Sequence, residues 1–182
     1  MCTVDRETKG YTGGWIQAIG TVLSAISSTP SLRIGEEQSE NLNLIGNLLQ
    51  ASGSALAADS EKEPTLSKIG NEIQAIGNSL EVGAVLLTEG TVQDELVIKG
   101  NLLQALGGAS AFADDWDSIP SEEALLSLYG NLLGVIGNSL EAISGIFELE
   151  GEKQQHLNSV GSWIQAIGAV LSALSSSVET LP

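Results

Sequence analysis

A heptad framed by glycine recurs six times along the chain and restricts its fold more than any other feature. Between the two glycines the pattern reads Asn or Ser, two apolar residues, usually Gln, then Ala and Ile or Leu, as in the copy from Gly100 to Gly107. The framing glycines are Gly13, Gly20, Gly46, Gly53, Gly70, Gly77, Gly100, Gly107, Gly130, Gly137, Gly161 and Gly168. Seven residues make about two turns of an α-helix, so each copy predicts a helical segment with the same residue types on the same sides.

The framing glycines predict close contacts between helices. Gly is roughly 1 kcal/mol less favourable than Ala inside a helix, so its regular recurrence requires a packing reason. On a helical wheel the Asn and Gln positions form a stripe flanked by Ala on one side and Gly on the other, and the large apolar residues lie opposite. We therefore expect neighbouring helices to meet through their Gly and Ala sides, with Leu and Ile in a common core and Asn and Gln facing outward.

Breaks between the copies predict six helices. Thr29-Pro30-Ser31 ends the first helix, and the acidic stretch from Asp114 to Pro120 suits the start of the fifth. The predicted helices cover 12–29, 36–58, 65–88, 91–113, 121–148 and 153–178. The predicted fold class is all-α, with six antiparallel helices in a closed bundle or in a layer that pairs with another copy. Residues 1–11 are predicted to be a flexible N-terminal segment, and residues 12–180 a single six-helix repeat domain.

Charge and cysteine content exclude several classes of function. Lys and Arg number 7 against 23 Asp and Glu, and the net charge of −16 disfavours binding to nucleic acid and to anionic lipid headgroups. An apolar content of 42% is too high for a disordered acidic tail. Cys2 has no second cysteine for a disulfide or a zinc site. The first residues lack a basic region followed by an apolar core, so we expect a cytoplasmic protein, with export by another route left open.

Motifs for catalysis, cofactors and metals are not found in the sequence, so we expect neither an enzyme nor a cofactor or metal site. Nucleophile-elbow, dinucleotide, phosphate-loop and zinc-protease patterns are missing from it. His156 lies in a polar stretch and is interpreted as a surface residue, and Cys2 would be a nucleophile only beside a histidine. Asp114, Asp115 and Asp117 lack the spacing of a calcium loop, and stabilisation of a helix N-terminus explains them more simply.

Tryptophans and the polar stripe are the candidate interaction features. Trp116, among acidic residues, either anchors a partner or folds over the end of the bundle. Trp15 and Trp163 occupy equivalent positions in the nearly identical first and last copies, and form either core or a surface for self-association, which we favour slightly. The Asn and Gln stripe is either a binding comb for a sugar, ice or a protein, or a solvent-facing seam, which we prefer.

Units such as Gly-Asn-Leu-Leu-Gln-Ala-Leu-Gly, from Gly100 to Gly107, resemble those of uncharacterised glycine-heptad repetitive helical proteins of Bacillus-type bacteria. The resemblance covers the chain from Gly13 to Ser175. It implies a helical repeat protein and assigns no activity, ligand or site.

The sequence favours a non-catalytic structural or protein-interaction protein that acts through helix packing and self-assembly, with another copy of the chain or another protein as partner. The alternative is a membrane-active protein, amphitropic or pore-forming, that uses its glycine-lined helix faces, because small residues let helices pack closely within lipid. Uncharged stretches from Gly10 to Leu32 and from Leu157 to Val178 are long enough to cross a bilayer. Ser, Thr and Gln interrupt them, so the membrane ranks second.

Overall fold

Helices account for nearly all of the described structure. The computed structural model describes residues 5–116, 118–119, 121–152 and 154–179. Within those ranges the chain forms six α-helices, a short 3-10 helix at Pro30–Leu32 and no β-strand, which confirms the predicted all-α class. The helices are α1 (Arg6–Ser27), α2 (Glu36–Ser60), α3 (Leu66–Leu87), α4 (Thr91–Trp116), α5 (Glu122–Leu149) and α6 (Gln155–Glu179).

Helix α1 begins earlier than the sequence indicated. Asp5 is its N-cap, and the Asp5 carboxylate accepts a hydrogen bond from the Thr8 backbone N–H at 2.7 Å. Lys9, in the second turn, forms an ion pair with Asp59 of α2. Residues 6–11, which were expected to be flexible, are therefore helical, because a cap and a tertiary contact hold the first turns in place.

The six helices form a closed ring. Each helix packs against the next along the chain, and α6 returns to pack against α1. The most extensive contacts lie within the successive pairs α1–α2, α3–α4 and α5–α6. Of the two arrangements that the sequence left open, the structure has the closed one.

Framing glycines face each other within these three pairs. A Cβ atom added at Gly20 would lie 2.6 Å from the carbonyl oxygen of Gly46, and one added at Gly46 would lie 2.8 Å from that of Gly20. Real Cβ atoms essentially never come within 3.0 Å of a non-bonded heavy atom of another helix, so only glycine fits at such a contact. The pairs are Gly13 with Gly53, Gly20 with Gly46, Gly70 with Gly107, Gly77 with Gly100, Gly130 with Gly168, and Gly137 with Gly161.

The interior of the ring is polar, so the predicted orientation of the helices is wrong. Among the described residues the buried apolar side chains are nine alanines and Ile98, whereas Asn, Gln, Ser, Thr and Glu make up the buried polar set. The large Ile and Leu side chains lie on the outside, as Ile76 does with 60% exposure. The wheel puts the Gly and Ala sides between helices, and the framing glycines do lie against neighbouring helices. It leaves open which remaining face turns inward, and in this ring the amide groups turn inward and hydrogen-bond one another.

Candidate functional site: the polar lumen

Amide side chains from alternate helices meet on the axis of the ring. The Gln165 side-chain amide of α6 donates to Oε1 of Gln50 on α2 at 3.2 Å and to Oε1 of Gln104 on α4 at 3.1 Å. It also donates to Oδ1 of Asn138 on α5 at 2.7 Å. Since α2, α4 and α6 are not neighbours in the ring, these contacts lie at its centre. We call these four residues the glutamine layer.

The three glutamines of the glutamine layer come from one position of the repeat. Gln50, Gln104 and Gln165 each lie four residues after the first framing glycine of their copy. Gln17 and Gln74 occupy the same position in α1 and α3 and are joined by a hydrogen bond of 2.9 Å. The stripe predicted to face solvent therefore lines the lumen, and the heptad that brings the helices together also sets the polar side chains at matching heights.

Two acidic side chains lie beside the glutamine layer, and neither was among the candidate residues predicted from the sequence. Glu81 of α3 is only 5% exposed, and its carboxylate accepts hydrogen bonds from the side-chain amides of Asn47, at 3.2 Å, and Gln104, at 2.5 Å. Glu141 of α5 is close enough to Glu81 for the two carboxylates to repel each other. The Glu141 Oε1 atom is buried and has no hydrogen-bond partner among the described residues.

A signal for these carboxylates was present in the repeat. Glu81 follows Gln74 by seven residues, and Glu141 follows Gly134 by seven. Both therefore stand one heptad beyond the glutamine position, where the helical period returns a side chain to nearly the same face. Once that face is known to be internal, the period also predicts that the two glutamates are internal.

Four cavities follow the axis of the ring, and each shares lining residues with the next. A cavity of about 240 Å³ contains Glu81, Glu141 and Asn101 in its lining, and a recess of about 870 Å³ shares Glu141 and Asn101 with it. Beyond the glutamine layer, a void of about 30 Å³ leads to a recess of about 430 Å³, and Gln17 and Gln74 line both. Polar side chains thus line all four cavities, and the smallest of the four lies at the glutamine layer.

The two recesses form differently charged mouths. The first mouth, where α1, α3 and α5 end, is lined by the acidic residues Glu40, Glu89, Asp94, Glu141 and Glu148. The second mouth, where those helices begin, is lined by Arg6 as well as by Glu7, Glu61, Asp114 and Glu123. Burial raises the pKa of Glu61 from its ordinary value, although a hydrogen bond from Thr65 opposes the shift.

An apolar belt surrounds the ring. Every helix exposes a large aliphatic side chain on its outer face: Ile19, Leu48, Ile76, Leu106, Ile136 and Ile167, in the order α1 to α6. In α2 the stretch from Asn41 to Ala58 carries no Asp, Glu, Lys or Arg, which makes about 27 Å at 1.5 Å per residue. The stretch without charged residues is shorter on α3 and α4, where Glu72, Glu95 and Lys99 are exposed.

Two of the described helices are long and apolar enough to cross a membrane. They are Glu122–Leu149 and Gln155–Ser177. Only 22% and 39% of their most apolar windows are buried within the ring. Most residues of these windows are thus not buried within the ring, unlike those of a core helix in a soluble protein.

Two of the candidate tryptophans lie at the seam between the first and last helices. The Trp15 indole N–H of α1 donates to the Ser177 hydroxyl of α6 at 3.1 Å. The Trp163 indole N–H of α6 donates to the Thr29 hydroxyl just after α1 at 2.9 Å. Trp116 is 68% exposed at the end of α4, with its ring centroid 5.8 Å from that of Phe112.

The acidic cluster near Trp116 lies at a helix end, which corrects its predicted place at a helix start. Asp115, in the last turn of α4, accepts hydrogen bonds from Ser127 at 2.8 Å and Asn131 at 2.7 Å, both of α5. Asp114 accepts one from the Ser67 backbone N–H at 3.0 Å. These aspartates therefore connect α4 to its neighbours.

The remaining candidates of the sequence analysis add no chemistry to the lumen. His156 is exposed near the start of α6, and Cys2 and Asp117 lie outside the described residues. In the part of the chain that the structure describes, no three His, Cys, Asp or Glu side chains are grouped to hold a metal ion.

The chain belongs to a family of unknown function, DUF6944, whose sequence model matches residues 8–173. The match agrees with the coarser part of the resemblance noted above, a family without an assigned activity. Searches of curated proteins and of solved structures found no match.

Proposed function

We propose that this member of DUF6944 works within a lipid bilayer, as a non-catalytic helical ring that holds a polar lumen across the apolar layer. The inverted distribution of side chains carries the proposal: amides, hydroxyls and two carboxylates are inside, and the large aliphatic side chains are outside. The hydrophobic effect favours the opposite distribution for a single chain in water. An apolar surrounding medium favours the arrangement that the ring has.

The extent of the apolar belt favours lipid over a second copy as its cover. Ile19 on α1 and Leu106 on α4 are exposed on opposite sides of the ring, and the other four helices expose aliphatic side chains between them. A two-fold contact with another copy covers one patch of each partner. Lipid tails cover all sides at once, so a bilayer accounts for the whole belt.

Dimensions and backbone chemistry agree with this placement. The charge-free height of about 27 Å on α2 is close to the hydrocarbon thickness of about 30 Å. Helices satisfy their own backbone hydrogen bonds, as a lipid environment requires. Face-to-face glycines such as Gly20 and Gly46 give the close main-chain contact by which membrane helices associate.

The charge distribution selects the kind of bilayer. A net charge of −16 is repelled by anionic headgroups. Most charged residues stand at helix ends and in connections, as Glu36, Glu37, Glu89 and Glu150 do. We therefore expect insertion into neutral phosphatidylcholine bilayers and weaker association with anionic ones.

Tryptophan fluorescence in phosphatidylcholine vesicles with brominated acyl chains tests the proposal. Trp163 lies on the outer side of α6 and is 39% exposed, so a variant that keeps only this tryptophan should be strongly quenched by bromine near the middle of the chains. A variant that keeps only Trp116, at the end of α4, is the matched control and should be quenched more by bromine near the headgroups.

The opposite result would favour the other function. If neither variant is quenched, and the chain sediments without detergent as a uniform multiple of 18.8 kDa, the belt is covered by protein. Self-assembly would then replace membrane insertion as the function.

A further inference from the structure

We propose that the lumen takes up small alkali cations, and that Glu81, Glu141 and Asn101 form their binding site. The inference rests on the proposed function, because it assigns a ligand to the lumen of the inserted ring. It concerns the cavity of about 240 Å³ on the first-mouth side of the glutamine layer.

The charges along this half of the lumen favour a cation. Its cavity and its mouth are lined by Glu40, Glu81, Glu89, Asp94, Glu141 and Glu148, and no Lys, Arg or His of the described chain lines either one. A recess lined by charges of one sign raises the local concentration of the opposite ion. Cations are therefore drawn towards the cavity and anions are kept out.

Negative charge on the two internal carboxyl groups is costly, and either protonation or a cation between them relieves that cost. Burial removes water from Glu81 and Glu141, and their mutual repulsion adds to that cost. Asn47 and Gln104 donate to Glu81, but they supply dipoles and no net charge. A cation placed between the carboxylates offsets both the desolvation and the repulsion.

Asn101 supplies an independent indication of a ligand. It is 4% exposed, and its Oδ1 atom is buried without a hydrogen-bond partner among the described residues. Its side-chain N–H donates to the Val97 carbonyl oxygen at 3.2 Å. If the Asn101 amide were flipped, its oxygen would face the Val97 carbonyl oxygen and the hydrogen bond would be lost. The contact with Val97 therefore fixes the amide so that the Asn101 oxygen is available to the cavity that Asn101 lines.

The available atoms match the chemistry of an alkali cation. The cavity offers carboxylate and amide oxygens, which are hard ligands of the kind that coordinate such ions in selective pores. A water molecule would satisfy the Asn101 oxygen but would not offset the repulsion between Glu81 and Glu141. A cation would do both at once, with water completing its coordination.

Equilibrium binding of rubidium-86 to the purified full chain in uncharged detergent tests the site whether or not the lumen is open. We expect about one Rb⁺ per chain, and an affinity at least tenfold lower after Glu141→Gln or Asn101→Leu. Asn101→Asp, which keeps an oxygen at this place, should restore binding to the site. Glu95→Gln is the matched control, because Glu95 pairs with Lys99 on the surface, and it should leave binding unchanged.

The remaining outcomes distinguish a failure of the cation site from a failure of the proposed membrane function. If Trp163 is quenched by brominated lipid but no Rb⁺ binds, or if Glu95→Gln weakens binding as much as Glu141→Gln, the cation site is wrong and membrane insertion stands. If Rb⁺ binds as expected but no quenching occurs, the site stands and the membrane role falls. Binding of chloride-36 in place of Rb⁺ would overturn the inference directly.

Discussion

At the scale of single residues, the glycines in these helices differ in the space that surrounds them. A Cβ atom at Gly77 would lie 2.7 Å from the Gly100 carbonyl oxygen and 2.9 Å from Cγ of Gln104. A Cβ atom at Gly83, six residues further along α3, would meet nothing within 4 Å. The first glycine is required by the neighbouring main chain, whereas the second has room for a methyl group.

We predict opposite effects for the same substitution at these two sites. Gly77→Ala should lower the free energy of unfolding by about 1–3 kcal/mol, because the added methyl group forces α3 and α4 apart. Gly83→Ala should raise it by about 0.4–1 kcal/mol through helix propensity and a less flexible unfolded chain. Denaturation followed by circular dichroism in neutral detergent measures both. Equal effects would mean that the framing glycines are not required by packing.

At the scale of helices, the sequence predicted the elements better than their orientation. The breaks around Pro30 and Glu89 separate the copies, and the heptad period makes each copy helical, so the six helices could be predicted. The wheel orders the Gly, polar, Ala and apolar sides but contains no information about the surrounding medium. The prediction assumed water around the helices and therefore placed the amides of Asn101 and Gln104 on the outer face. For the same reason it did not identify Glu81 and Glu141 as internal carboxylates.

Helix ends, by contrast, follow local chemistry that can be tested by substitution. The Ser121 hydroxyl caps α5 by accepting a hydrogen bond from the Ala124 backbone N–H at 3.0 Å. We expect Ser121→Ala to destabilise the chain by about 1 kcal/mol and to speed amide exchange in the first turn of α5. Ser121→Asn keeps a side-chain acceptor and should stay close to the wild type. Equal exchange in all three proteins would show that this cap does not hold the helix end.

At the scale of the whole molecule, closure of the ring gives the chain distinct inner and outer surfaces. Trp15 and Trp163 each donate a hydrogen bond across the seam between α1 and α6, so no helix edge is left open there. The polar stripe is thereby enclosed, and aliphatic side chains of all six helices form an outer belt that the exposed Glu72 interrupts on α3. A flat layer of the same six helices would expose both surfaces and would have no lumen.

A charge placed on the belt should interfere with membrane insertion. We expect Ile76→Lys, on the outer face of α3, to reduce the fraction of protein that floats with phosphatidylcholine vesicles, because a lysine at the centre of a membrane helix costs about 2.5–3.5 kcal/mol. Gln38→Lys adds the same charge at the exposed start of α2 and should float like the wild type. If Ile76→Lys floats normally and instead disrupts an oligomer, the belt is a protein interface.

The glutamine layer should control passage through the lumen. Gln165 contacts three other helices across the axis, beside the smallest of the axial cavities, a void of about 30 Å³. Gln165→Ala removes the amide that links Gln50, Gln104 and Asn138, so the cavities on the two sides should merge. We expect the K⁺ efflux from loaded phosphatidylcholine vesicles to rise at least several-fold over the wild type, whereas Gln38→Ala, outside the lumen, should leave it unchanged. If the Gln165→Ala protein inserts but shows the wild-type K⁺ efflux, the barrier to passage lies elsewhere on the axis. The most direct alternative is the pair of carboxylates of Glu81 and Glu141, because a cation bound there would block the path that the glutamine layer no longer closes.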